Sequence, residues 1–436
     1  MIRRSRRPSD GGRFTMRGAA LLAVVLFVAA CGTNGSSSGP SGGGAASQAP
    51  AVSPPASVGG TLTVWAMGNE GVKLKDLATK FMAANPGTTV NVTPVDWGVA
   101  VDKLQTAIAG HQTPDVSQMG TDMMGQFAST GALEAVPSNF QAETFFESAW
   151  NTNIVNGTVY GVPWYVETRM LYYRKDIFEK AGITSPPATW DDLLADAKAV
   201  KEKGGAQWGI GLGTKNWQEY FPFLWSDGGQ VMDSSGKFQL NSPQAVEALT
   251  FYDEFFKDGL APKSVPEGFD ITPAFVKGTH PMFFSGPWHI GLLRDSGGPG
   301  FADKYAIAPI PKKASSTSFI GGGNLVVYKD SKNKDLAWKF VQFLTDPATQ
   351  VDWYKDVTDL PAVTAAWDDP TLKGDPQVSA FGEQLKSTAA QPAIPSWSEL
   401  SDSINSTLEK MTTGHLEPQA AADEMQQEAE KVGTGG

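Results

Sequence analysis

From Thr61 onward the chain alternates strand-like and helix-like segments, and this order constrains its fold more than any other feature. Thr61 to Trp65 is a β-rich run, and Val72 to Ala84 sets Leu74, Leu77, Ala78 and Phe81 at helical spacing. Asn85-Pro86-Gly87 stops that helix, Thr89 to Val95 alternates as a strand, and Val101 to Ala109 is helical again. Pro114-Asp115-Val116 opens a short extended segment, and a further helix leads to a turn at Gly131. A β-α-β-α-β order predicts a doubly wound α/β sheet with helices on both faces. Ligands of such sheets bind beyond the carboxyl ends of the strands, so the residues that follow each strand are the ones to read.

A second unit begins near Glu167. Met170 to Tyr173 is strand-like, Lys175 to Ala181 is helical, and Thr189 is placed to cap a helix running to about Lys203. Trp208 to Leu212 is expected as a strand, Pro243 to Asp258 as an amphipathic helix ended by Gly259, and Met282 to Phe284 as a buried strand. Tyr305 to Pro311, with two prolines, reads as a crossing segment. Leu325 to Tyr328 reads as a strand and Asp335 to Leu344 as a helix, and two helices divided at Gly414 fill the tail from Trp397 to Lys431. No internal repeat has a fixed period.

Ahead of this body lies a different kind of sequence. Six arginines up to Arg17 precede an apolar run from Gly18 to Ala30, too short for a membrane-spanning helix of about 20 residues, so residues 1–30 form a signal peptide. The run ends Val28-Ala29-Ala30-Cys31-Gly32, which resembles the bacterial lipoprotein processing site; that resemblance implies that Cys31, the only cysteine of the 436 residues, is lipidated and becomes the new N-terminus, the other reading being a chance Cys beside an ordinary signal-peptide cleavage site. In residues 32–58, 22 of 27 positions are Gly, Ser, Pro or Ala, so 31–59 reads as a flexible tether from a lipid anchor on the outer face of the cytoplasmic membrane. Without residues 1–30 the chain holds 29 basic against 45 acidic residues, a charge of −16. That balance excludes a nucleic-acid partner, which requires a basic face.

No catalytic motif stands out. The four histidines, His111, His280, His289 and His415, lack metal-ligand spacing, so neither metal nor cofactor is called for. Gly209 to Gly213 lacks the full dinucleotide fingerprint, Ser234-Ser235-Gly236-Lys237 is not a P-loop, and no nucleophile elbow occurs. A glycosidase acting through two carboxylates remains the alternative, because such pairs are assembled in space.

The pieces Tyr160-Gly161-Val162-Pro163-Trp164, Glu167, Leu171 to Phe178, Pro187-Ala188-Thr189-Trp190, Gly228-Gly229, Ser285-Gly286-Pro287-Trp288, Gly321-Gly322-Gly323, Trp338-Lys339-Phe340 and Leu360-Pro361 occur in an order and spacing that resembles the extracellular solute-binding proteins of sugar-importing ABC transporters. The resemblance covers residues 60–436. It implies a two-lobed periplasmic-binding-protein-like fold, each lobe a doubly wound sheet flanked by helices, joined by hinge crossings and closing on a small-molecule carbohydrate. Lobe I would comprise 60–165 and 312–362, and lobe II 166–311 and 363–436. The partners implied are two transmembrane permease subunits and, through them, an ATPase, with the binding protein itself a monomer that makes and breaks no bond.

A sugar offers many hydroxyls and flat C–H faces, and its site therefore supplies carboxylates, amides and aromatic rings. Asp122 matches a sugar-binding Asp of the family, with a helix N-cap as its other reading. Glu167 matches the cleft Glu, or else forms a hinge salt bridge, and Trp288 matches a stacking Trp, or else packs in the core. Asn69 with Glu70 follows the first strand, and Asp96 with Trp97 ends the second. Trp164, Tyr165, Trp217, Glu219 and Trp397 are further candidates. Gly322 and Gly323 either bring backbone N–H groups to the ligand or make a tight turn entering a strand.

Overall fold

A computed structural model describes residues 59–435 except Glu267. The expected signal peptide, Cys31 and all of the tether but Gly59 lie outside the described residues. Among the described residues there are twelve strands: β1 (Gly60–Met67), β2 (Thr88–Val95), β3 (Val116–Gly120), β4 (Ile154–Val155), β5 (Thr158–Val159), β6 (Val162–Thr168), β7 (Met170–Arg174), β8 (Met282–Ser285), β9 (Tyr305–Ala308), β10 (Ser318–Val327), β11 (Leu360–Pro361) and β12 (Thr388–Ala389).

The larger sheet runs β11-β6-β10-β3-β1-β2, with β12 beside the start of β10. Its β2, β1 and β3 pair in parallel, as a doubly wound unit requires. β10 joins antiparallel between β3 and β6, and β11 closes the other edge. Helix Gly68–Ala84 covers this sheet with the predicted stripe Leu74, Leu77, Ala78 and Phe81. The smaller sheet is β8-β7-β9, antiparallel on both sides. Period-2 alternation on these short strands serves two cores: Leu171, Met282 and Phe284 face the helical cluster of Trp190, Phe223 and Phe255, while Tyr172 and Phe283 face the core under the large sheet. Helix Trp190–Glu202 starts at the predicted cap, where Thr189 and Asp192 form a reciprocal capping box. The tail forms helices Trp397–Thr412 and Pro418–Val432, parted at Gly414.

Three local expectations change. Trp208 to Leu212 makes only one bridge, Gly211 to Phe283, because its backbone N–H groups are divided between two segments: Trp208 and Gly211 donate to Thr279 and Met282 at the entry to β8, while Gly209 and Ile210 donate to Leu260. Tyr305 to Ala308 is a full strand of the small sheet, and the passage to the large sheet follows it, before Ser318. Gly322 and Gly323 lie inside β10 instead of at its entrance, where the register with β6 shifts just beyond Gly323.

Candidate functional site

The parallel strands deliver polar side chains to one edge of the large sheet. At the end of β1 the Met67 N–H donates to Gln118 Oε1 at 2.7 Å; Gln118 Nε2 donates to the Tyr165 hydroxyl at 3.0 Å, and that hydroxyl donates to Glu70 Oε1 at 2.9 Å. This relay crosses β1, β3 and β6 and fixes Glu70 in the first turn of its helix. Burial holds the Tyr165 phenol well above its ordinary value, so it remains a donor. Burial also raises the Glu70 carboxyl, against the opposing pull of its hydrogen bonds.

Three further carboxylates face the same space. Asp122 follows β3; it meets solvent but is enclosed by the cleft walls, and this desolvation, then the charge of Glu167, raises it. Asp359 accepts from Trp353 Nε1 at 3.0 Å and is held well above the usual carboxylate range by burial, then by the Glu70 charge. Glu167 accepts from Arg169 at 3.2 Å, and Arg169 also donates to Gln218 Oε1 at 2.9 Å. The indole of Trp288 stands over this pair, 4.8 Å from the Arg169 guanidinium. Gly286 makes that position available, since a Cβ there would fall inside the Trp288 ring.

Together these groups line a cleft of about 410 Å³ that also includes Asn69, Trp97, Thr121, Phe319, Gly321, Gly322 and Val357. Eight of the fourteen candidates therefore converge: Asn69, Glu70, Trp97, Asp122, Tyr165, Glu167, Trp288 and Gly322. A larger cavity of about 720 Å³, lined by residues such as Phe146, Trp367 and Lys386, shares no residue with the cleft and holds none of the candidates. Among the described residues no group of three or more His, Cys, Asp or Glu is arranged to hold a metal ion.

The other six candidates stand elsewhere. Asp96 caps helix Trp97–Ala109, accepting from the Gly98 N–H at 2.8 Å. Trp164 is 0% exposed and stacks on Trp353 at 4.7 Å, because neighbours on a strand point to opposite faces and Tyr165 takes the cleft side. Trp217 and Trp397 meet edge to face at 5.1 Å in the helical core. Glu219 turns away to accept from the Gly213 N–H at 2.7 Å, at a separate cavity of about 230 Å³, where burial pushes its carboxyl up to about 7. Gly323 gives its space to the Tyr165 ring.

Sequence reasoning missed Gln118, Thr121, Gln218, Phe319, Gly321, Val357 and Asp359. Gln218 carried no signal of its own, standing between Trp217 and Glu219, neither of which lines the cleft. Gln118 lies in a strand buried at all five positions, where a polar side chain needs an internal partner.

A family model described as bacterial extracellular solute-binding protein matches residues 67–351. A binding protein of Brucella abortus is 30% identical over 376 residues, covering 83% of this chain and 90% of that protein. The galactooligosaccharide-binding protein of Bacillus subtilis is 25% identical over 417 residues, covering 92% and 93%. The structure of a sugar-binding protein from Xanthomonas citri superposes with a TM-score of 0.81 at 29% identity, covering 86% of this chain and 97% of that one.

Proposed function

The chain belongs to the bacterial extracellular solute-binding proteins, and from that premise we propose that its cleft captures a mono- or oligosaccharide and delivers it to the permease of an ABC importer. The protein is exported, as its family is. The observation that carries the reading is the convergence of Glu70, Asp122, Glu167 and Asp359 with the indoles of Trp97 and Trp288 on one cleft. Ionised carboxylates accept from sugar hydroxyls, the amides of Asn69 and Gln218 serve either role, and the two indoles offer flat faces to C–H surfaces. A hydrogen bond to a charged group contributes about 1.5 to 3 kcal/mol, so a few of them with stacking reach the roughly 8 kcal/mol of micromolar binding.

In this reading residues 60–165 with 312–362 and residues 166–311 with 363–436 act as two lobes. Ligand favours the closed arrangement only by its greater affinity for it, and the closed monomer docks on two permease subunits served by an ATPase. Cys31 carries the lipid that holds the protein at the outer face of the cytoplasmic membrane; labelled palmitate incorporated by the wild type and not by Cys31→Ser tests this. A thermal-shift panel of mono- and oligosaccharides tests capture, because a ligand that binds only the native state raises its melting temperature. No shift with any sugar would defeat the reading. The same incubations, searched for cleavage products, separate capture from the glycosidase alternative, which turnover would favour.

A further inference from the structure

The chain passes from β6 of the large sheet to β7 of the small one through a single residue, Arg169, which is 8% exposed. Its guanidinium donates to Glu167 from one nitrogen and to Gln218 from another. Its central carbon, Cζ, lies over two rings, 4.8 Å from the Trp288 centroid and 5.3 Å from that of Phe319. Its backbone carbonyl accepts from the Ser318 hydroxyl at 2.7 Å, which ties this junction to the start of β10. One group thus touches four cleft-lining side chains drawn from four separate elements: β6, helix Trp217–Ser226, helix Trp288–Gly297 and β10.

We propose that Arg169 is the positioning residue of this cleft: its fork aims the Glu167 carboxylate and the Gln218 amide, and its plane sets the tilt of the Trp288 indole. The inference rests on the carbohydrate reading above. Without the fork, Glu167 would face Glu70, Asp122 and Asp359 with no cation against it, and like charges would turn it out of the cleft. Gln218 and Trp288 would then have to be ordered at each binding event, which subtracts from affinity. Lysine cannot replace this group, because an ammonium has neither the two-pronged geometry nor a plane to stack.

The test is calorimetric titration of the mature protein with maltotriose, diacetylchitobiose and a galactooligosaccharide. For each sugar that the wild type binds, Arg169→Lys weakens affinity about 10- to 100-fold, the change that corresponds to one lost hydrogen bond to a charged group. Its ligand-free melting temperature stays close to wild type. In a double-mutant cycle with Glu167→Gln, the combined loss falls well short of the product of the single losses, since both act through one contact. Unchanged affinity in Arg169→Lys, or losses that multiply, overturns the inference while capture stands. If Arg169→Lys does not fold, the cycle is run with Gln218→Met and Glu167→Gln, two side chains that accept from the same guanidinium, and independent losses overturn it. If none of the three binds the wild type, the titrations are run with whichever sugar of the thermal-shift panel does, and if no sugar of that panel binds, the carbohydrate reading falls and takes this inference with it.

Discussion

Replacing Glu219 with glutamine is expected to stabilise the protein at neutral pH even though it removes a charged hydrogen-bond acceptor. Burial holds this carboxyl at about 7 against an ordinary 4.5, so the native state binds the proton more tightly than the unfolded chain. Between those values stability falls as pH rises, because the native protein must keep buried a charge that the unfolded chain carries in water. Below the ordinary value both states are protonated and the difference vanishes. Above the raised value the full difference is about 3 kcal/mol, at roughly 1.4 kcal/mol per tenfold. The side chain is partly open to its cavity, and water there reduces the realised gain to about 1 to 3 kcal/mol. Glutamine keeps an oxygen for the Gly213 N–H. Thermal melts of Glu219→Gln and wild type should therefore coincide near pH 4.5 and separate at pH 8 by about 1 to 4 °C, given about 2 cal/mol/K of unfolding entropy per residue. A gap that does not change with pH, or a variant less stable at pH 8, would refute the reasoning. Sugar affinity should be unaffected, and its loss would return Glu219 to the binding site.

Trp288→Ala should abolish the sugar-induced thermal shift while the ligand-free protein still melts cooperatively; a retained shift would remove the indole from recognition. Sugar affinity should fall on acidification at pH values above 4.5, the ordinary glutamate value, because Glu70, Asp122 and Asp359 are all raised by burial and protonation takes away their capacity as pure acceptors. Calorimetry between pH 8 and 5 should show protons released on binding, and constant affinity down to pH 4.5 would contradict this. Gly322→Ala should cost more than about 1 kcal/mol, measured by urea unfolding, because φ is +127° and the added Cβ meets the Tyr165 carbonyl oxygen; a neutral effect would show that β6 and β10 part easily.

The elements that sequence predicts well are those governed by local physics. The stripe of helix Gly68–Ala84, the capping box at Thr189 and the break at Gly414 each depend on residues within one or two turns. The sequence offers Trp164 and Tyr165 together, and only once Val162–Thr168 is seen to be a strand does alternation separate them, since adjacent residues of a strand cannot face the same way. Helix Trp217–Ser226 is different. Eight of its ten residues are buried, so no polar stripe marks the face it turns to the cleft, and Trp217 and Glu219 look as well suited to a ligand as Gln218 does. Asp359 enters the cleft after Thr358, a left-handed helix cap at φ 64°, and only the pairing of β11 with β6 determines where it points.

The relay from Met67 to Glu70 divides recognition into parts with unequal freedom to change. Glu70 is anchored through three strands of the sheet interior, and altering any link leaves a buried polar partner unmatched. Trp97, Asp122, Gln218, Trp288 and Asp359 sit at helix starts and in connections, where substitution leaves the sheet intact. Retargeting this scaffold to another sugar, by selection or by engineering, is therefore easiest at those tips, with the carboxylate of Glu70 as the fixed reference point around which new specificities are built.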